Sequence, residues 1–390
     1  MSDAKRQANS VIITLMALAL AAMLGLELAS VQPNRIVPGT AYRLTEIVGG
    51  EGALLLSLPL LGNLWLARRP TVSRLYLVLA ITVALLMALP WGLAAFTLHF
   101  VDTDQPYART GIGAGAWTML FVLLLTLIEL RTRLFLRRRV LALIGVLVLG
   151  SLALALSSGW LDPLALAREY ASRRDQFGAA VLYHLALVGA AVALSLVIGF
   201  SLALAIRRLT RAQTLTFGVL SVIQTIPSLA LFGLLLAPLA FLAARYPMLA
   251  ELGVQGIGWA PALIALVGYS LLPMTRNTFV ALEGVPADVI ESARGMGMSP
   301  WQVFTQVRLP LALPVLLEGI RITAIQAIGL AAVAALIGAG GLGTFIFQGL
   351  GQAAMDLVVL GALPILVMAL VVDAFFSALA DYCRRGGAHD

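Results

Sequence analysis

The sequence predicts an all-α polytopic membrane protein of about ten transmembrane helices, and three observations carry that expectation. Hydrophobic residues make up 61% of the chain and charged ones 12%, against a charged share of about 25% in soluble domains. Apolar blocks recur at roughly the 20-residue length that a bilayer-spanning helix requires. The blocks are continuous rather than alternating, which favours helices over a closed barrel, the other backbone that satisfies its own hydrogen bonds in lipid.

Ten runs follow in order: 10–30, 51–67, 75–97, 112–130, 140–158, 179–206, 214–243, 259–275, 311–337 and 356–379. The first is longer than the roughly 7–15-residue core of a cleaved signal peptide, which is the competing reading. Glu27 near its end suits an uncleaved span reaching the far interface. Segment 159–178, GWLDPLALAREYASRRDQFG, is polar and charged between apolar blocks. Read as an outer linker, it separates an N-terminal five-span region, 1–158, from a C-terminal five-span core, 179–380, with a tail at 381–390. One long surface loop inside a single bundle is the alternative.

Basic residues set the orientation. Lys5, Arg6, Arg68, Arg69, Arg74, the cluster from Arg131 to Arg139, Arg207, Arg208, Arg211, Arg276, Arg294, Arg308, Arg384 and Arg385 fall on one side, 18 in all, and seven on the other. The bias places both termini in the cytoplasm. The net charge of +7 then reports topology and contact with anionic lipid, and gives no support to nucleic-acid binding.

Among the polar windows, 286–308 (PADVIESARGMGMSPWQVFTQVR) is the most informative. Pro286 and Asp288 open a short helix, and Gly295 and Gly297 end it. Ser299, Pro300 and Gln302 form a capping box that starts a second helix, and Leu309-Pro310 leads into the next span. The result is a compact knob on the inner face. Ile290, Ala293, Met296, Trp301 and Phe304 are expected to stay partly exposed on it, which suits insertion into a groove on another protein. A loop resting on lipid headgroups is the competing reading.

Several chemistries lack their residues. With one cysteine, Cys383, and histidines only at His99, His184 and His389, neither a disulfide framework nor a Cys/His metal site is expected. A P-loop needs Gly-Lys-Ser/Thr, and the single lysine is Lys5. The glycines Gly338, Gly340, Gly341 and Gly343 follow no strand and are read as a tightly turned helix end at the outer face.

Within the knob, Glu291-Ser292-Ala293, then Gly297, then Val307-Arg308-Leu309-Pro310 resembles the cytoplasmic signature of ATP-binding-cassette importer permeases: Glu-Ala-Ala, three residues, Gly, nine residues, Ile-x-Leu-Pro. Ser292 and Val307 are mild departures. The segments IQTIPSLALFGLL, ALVGYSLLPMTRNTF, RLPLALPVLLEGIRI and IGAGGLGTFIF are similar to those of osmoprotectant importers, which handle glycine betaine, choline, carnitine and related quaternary amines. The resemblance covers residues 178–380 and implies a type I importer permease core. It also implies two permease copies, identical or not, in a bacterial inner membrane, with a cytoplasmic ATPase dimer that carries the ATP and Mg and grips the knob, and an external binding protein that delivers substrate. This chain itself is expected to bind no cofactor and to be no enzyme. Glu291, Ser292, Ala293, Arg294, Met296, Gly297, Met298, Trp301, Phe304, Leu309 and Pro310 are the candidate ATPase-coupling residues.

Polar groups inside the spans are weighed separately, because a charge at mid-bilayer costs about 2.5–3.5 kcal/mol on insertion scales. Glu318 and Arg321, spaced i,i+3, are expected to neutralise one another. Gln224, Pro227, Phe232, Tyr269, Phe279 and Gln326 are the candidates for the translocation path: aromatic faces suit a quaternary ammonium, and the prolines free carbonyls. Packing and helix bridging explain the same residues. A secondary transporter would need relay residues at the midplane and related halves, which the sequence does not display. A docking scaffold or sensor is the third class.

Overall fold

The structure, a computed structural model, describes residues 8–35, 37, 39–101 and 107–386, with side chains through Arg384. Lys5, Arg6, His389 and the Arg385 side chain, all used in the sequence reading, lie outside the described residues. Contacts divide the chain into two units, Met1–Ser172 and Arg173–Asp390.

The first unit contains α1 (Ser10–Gly25), β1 (Glu27–Gln32), β2 (Thr40–Arg43), α2 (Leu44–Ala67), α3 (Val72–Phe100), β3 (Arg109–Ile112), α4 (Ala114–Leu134), α5 (Arg138–Ser157) and α6 (Ala165–Ser172). Side chains start two of these helices. Asn9 Oδ1 accepts the Ile12 N–H at 3.1 Å, and Thr71 Oγ1 that of Arg74 at 3.3 Å, each occupying a donor that the first helical turn leaves unpaired. Ile12, Met16, Leu60, Val78, Leu123 and Leu130 form the core. Asn63 is fully buried within it, donating to Thr82 Oγ1 at 3.4 Å.

The first apolar run does not remain helical to residue 30, as expected above. The helix stops at Gly25, and 27–32 forms the central strand of a three-stranded antiparallel sheet, β2-β1-β3. Gly113 lets the chain pass against the Glu27 carbonyl, where a Cβ has no room. The sheet pairs backbone N–H and C=O groups of the segment that leaves the helix at Gly25.

The second unit contains α7 (Arg174–Ile206), α8 (Thr210–Thr225), α9 (Ser228–Arg245), α10 (Pro247–Glu251), α11 (Trp259–Glu283), α12 (Ala287–Gly295), α13 (Pro300–Gln302), α14 (Leu309–Val333), α15 (Gly343–Gly351) and α16 (Met355–Gly386). A π-helical turn, Val303–Arg308, joins α13 to α14. Helix α11 packs on α7 and α14, and α14 on α16. Leu187, Ala191, Phe232, Leu266, Ile328 and Ala331 fill the centre. Small residues bring these helices together: a Cβ on Gly319 would stand 2.6 Å from that of Asn277, the close approach that lipid-embedded helices use in place of a hydrophobic driving force.

The run 214–243, read as one span, is two helices. Pro227 lacks the N–H that would continue α8 and holds the preceding residue extended, so the chain breaks at Ile226-Pro227. Gly338, Gly340 and Gly341 take φ values of +77°, +74° and +76° between a 3₁₀ turn, Ala334–Ile337, and α15. That is the tight helix end expected of the cluster. Among the described residues eight helical stretches are long and apolar enough to cross a membrane by length and composition: α2, α3, α4, α5, α7, α9, the continuous stretch Pro300–Ile337 and α16. Helix α1 is shorter, and α11 buries Ser270, Thr275 and Thr278 along its length.

Candidate functional site

The knob is an elbow between two capped ends. Pro286, with φ fixed by its ring, opens α12. At the other end Met298 N–H donates to the Ala293 carbonyl at 3.2 Å, and Gly297 N–H to that of Arg294 at 2.9 Å. With Gly297 at φ +84°, this is a Schellman motif, which pairs carbonyls that a helix end leaves free. The next helix starts two residues later. Ser299 Oγ accepts the Gln302 N–H at 3.3 Å, while the Ser299 N–H donates to Gln302 Oε1 at 2.8 Å, the reciprocal capping box that the sequence spacing predicts.

One face of the elbow is sealed. Ile290, Ala293 and Val303 pack with Leu282, Val285 and Leu316 from the ends of α11 and α14, with Met298, Phe304, Val307 and Leu309 half-buried around them. The expectation that Ile290 and Ala293 remain exposed is therefore corrected: both point inward onto α11 and α14. The outer face differs. Glu291, Ser292, Arg294, Gly297 and Pro310 are exposed, and Met296 and Trp301 are 76% and 72% exposed. The Trp301 and Phe304 rings lie 6.0 Å apart between centroids. Because α13, the π turn and α14 form one continuous helix from Pro300 to Ile337, the elbow is joined to a span without a flexible linker.

Farther along α14, Arg321 NH2 lies 2.7 Å from Glu318 Oε2, the pair that the i,i+3 spacing predicts. The structure adds partners from α16: Arg321 NH1 contacts Asp373 Oδ1 at 3.1 Å and donates to Ser377 Oγ at 2.8 Å, and Arg384 reaches Glu318 at 3.3 Å. These side chains stand 52–66 residues from their partners, so no local pattern reveals them. The network ties the helix behind the elbow to the last helix of the chain.

Three of the six translocation candidates meet at the break between α8 and α9. Gln224 Nε2 donates to the Tyr269 carbonyl at 2.7 Å, and the Tyr269 hydroxyl donates to the carbonyl of Ile226, next to Pro227. The second bond occupies the carbonyl that the break leaves open, and the first the Tyr269 carbonyl inside α11, four residues before Pro273, whose ring has no N–H to pair it. The other three lie apart. Phe232 is fully buried in the apolar core, Phe279 stands edge-on to Phe217, and Gln326 is half-buried on α14. His184, given no role of its own in the sequence reading, is buried and reaches the Ile328 carbonyl at 3.1 Å, beside Gly341, where a Cβ would lie 3.2 Å from its ring. Among the described residues no group of three or more His, Cys, Asp or Glu is placed to hold a metal ion.

The chain belongs to the binding-protein-dependent transport system inner membrane component family, whose model matches residues 178–385; residues 6–167 match the model described as the ABC transporter permease YehY N-terminal domain. Over 190 residues it is 42% identical to the carnitine transport permease protein OpuCB of Listeria monocytogenes, covering 49% of this chain and 80% of that protein. It is 41% identical to the osmoprotectant import permease protein OsmW of Salmonella typhimurium, covering 49% and 83%. The glycine betaine/carnitine/choline transport system permease protein OpuCB of Bacillus subtilis is 36% identical, covering 49% and 80%. The chain is thus a multi-pass inner-membrane subunit of an ABC importer, a transport component rather than an enzyme.

Proposed function

We propose that this chain forms the path of an ATP-driven importer for a small compatible solute, glycine betaine or a related quaternary amine. A cytoplasmic ATPase dimer, holding the ATP and Mg, grips the elbow; a second permease subunit completes the path, and an external binding protein delivers the solute. Both termini face the cytoplasm, in line with the basic-residue bias. The observation that carries this reading is the elbow: a capped, glycine-turned corner with an inner face packed on two spans and an outer face of charge and large apolar side chains.

Such a corner moves as one piece. Met296 and Trp301 fill apolar hollows in the ATPase, Glu291 and Arg294 pair with its charges, and the packed inner face passes displacement to α14 and, through Arg321, to α16. Tyr269 and Phe279 offer aromatic faces to a cation that has no N–H to donate. The names of the relatives support the substrate class.

Reconstitution in liposomes with the partner ATPase and binding protein tests the reading through uptake of labelled glycine betaine, choline and carnitine. Gly297→Asp is the informative variant. An aspartate tolerates positive φ better than most residues, so the protein inserts and folds, while its carboxylate obstructs docking. The expected outcome is ATP hydrolysis that no longer drives uptake; normal ATP-driven uptake by the variant overturns the assignment of the elbow.

A further inference from the structure

Beside the elbow three span ends converge. Arg207 and Arg208 follow directly on α7, Glu283 is the last residue of α11, and Arg308 immediately precedes α14. With Arg294 of α12 they line a cavity of about 560 Å³. Four guanidinium groups therefore face one carboxylate. Glu283 Oε1 lies 2.6 Å from Arg207 Nε and 3.6 Å from Arg308 NH1, so a single anion is shared by two cations whose side chains are only 19% and 18% exposed. Arg208 and Arg294 stand at the rim, exposed, and no ion pair among the described residues engages them. Partly buried cations in excess over anions are costly unless a counter-charge joins them.

We propose that this cavity binds the phosphate of an anionic phospholipid headgroup. Guanidinium groups match phosphate oxygens in paired, bidentate geometry. Depth selects the lipid as the source. Each flanking arginine sits at the junction of an apolar span with polar chain, which is the level of the lipid phosphates, and Leu204 and Phe304 of the same cavity give the acyl chains an apolar wall. Basic pockets between membrane helices are recognised lipid-headgroup sites. Because Arg294 and Phe304 also belong to the elbow, a bound lipid braces it against α7; that effect on transport rests on the coupling reading above, whereas the binding itself does not.

The test uses the full chain, purified without its ATPase into nanodiscs of phosphatidylcholine alone or of phosphatidylcholine with phosphatidylglycerol, with retained lipid counted by native mass spectrometry after a delipidating wash. Arg208→Gln is the first variant, since Arg208 holds no ion pair that folding depends on; Arg245→Gln, at the end of α9, is the control. The wild type and the control should keep at least one phosphatidylglycerol that R208Q holds about five-fold more weakly, the change that about 1 kcal/mol per basic residue implies. Equal retention by R208Q and the wild type overturns the site. Displacement of the lipid by millimolar inorganic phosphate identifies a free-phosphate site instead and overturns the lipid assignment. If R208Q retains lipid like the wild type but fails to capture the ATPase when that partner is added to the same nanodiscs, the arginines belong to carboxylates of the ATPase, against the proposal. Failure of the Gly297→Asp experiment leaves the lipid count untouched, so the two readings fail separately.

Discussion

At the scale of single residues, the elbow depends on positions 297 and 299 for different reasons. Gly297 adopts φ +84°, yet a Cβ there would meet nothing within 4 Å, so the constraint is backbone conformation alone. Gly297→Val is therefore expected to cost about 1–3 kcal/mol, the strain of a β-branched residue in the left-handed region. Gly297→Asn should cost distinctly less, because asparagine visits that region. Equal losses for the two variants in thermal unfolding in detergent would assign the glycine's role to space instead. Ser299→Ala removes one half of the capping box and should cost about 1 kcal/mol, read from the same melts. Both features are visible in sequence because they join residues within five positions. The inward turn of Ile290 and Ala293 is not: a nine-residue helix offers too few turns for periodicity to say which face meets α11 and α14.

At the scale of elements, the break at Ile226-Pro227 and its closure by Tyr269 show where reading along the chain stops working. An unbroken apolar run from 214 to 243 contains two prolines, Pro227 and Pro238; the second sits inside α9 without ending it, as do prolines inside α2, α3, α11, α14 and α16. What differs at residue 227 is help from outside. The hydroxyl of Tyr269, 43 residues away, accepts the task of pairing the Ile226 carbonyl, and Gln224 fastens the same corner to the Tyr269 backbone. Tyr269→Phe keeps the ring and removes the donor, leaving a carbonyl unpaired in an apolar setting, so a loss of about 1–3 kcal/mol is expected. Thermal unfolding with Phe279→Leu as a packing control checks it; a Tyr269→Phe melt equal to the wild type would mean that water already serves the break. The ion network of α14 and α16 was half legible for the same reason: the local pair Glu318–Arg321 is spelled by spacing, and Asp373 and Arg384 are supplied by the fold.

At the scale of the whole molecule, the two units ask different things of the transport reading. Residues 173–390 contain the elbow, the broken helix, the Arg321 network and two apolar clusters of their own. The curated relatives match over about 80% of their length within 190 residues of this chain, so most of each relative corresponds to this unit alone. The first unit has a separate core of Ile12, Met16, Leu60, Leu123 and neighbours. A chain reduced to residues 173–390 should therefore insert, remain monodisperse and, joined with the ATPase and binding protein, take up solute; fluorescence-detected size exclusion followed by uptake in liposomes measures both. A second truncation at 159, which keeps the polar segment in front of α7, guards against damage at the new terminus. If both truncations are monodisperse yet fail to transport, residues 1–158 take part in translocation or its control rather than in folding. Aggregation of both would instead mean that the second unit's apolar surface depends on the first for cover, contrary to the self-contained packing from which the prediction is drawn.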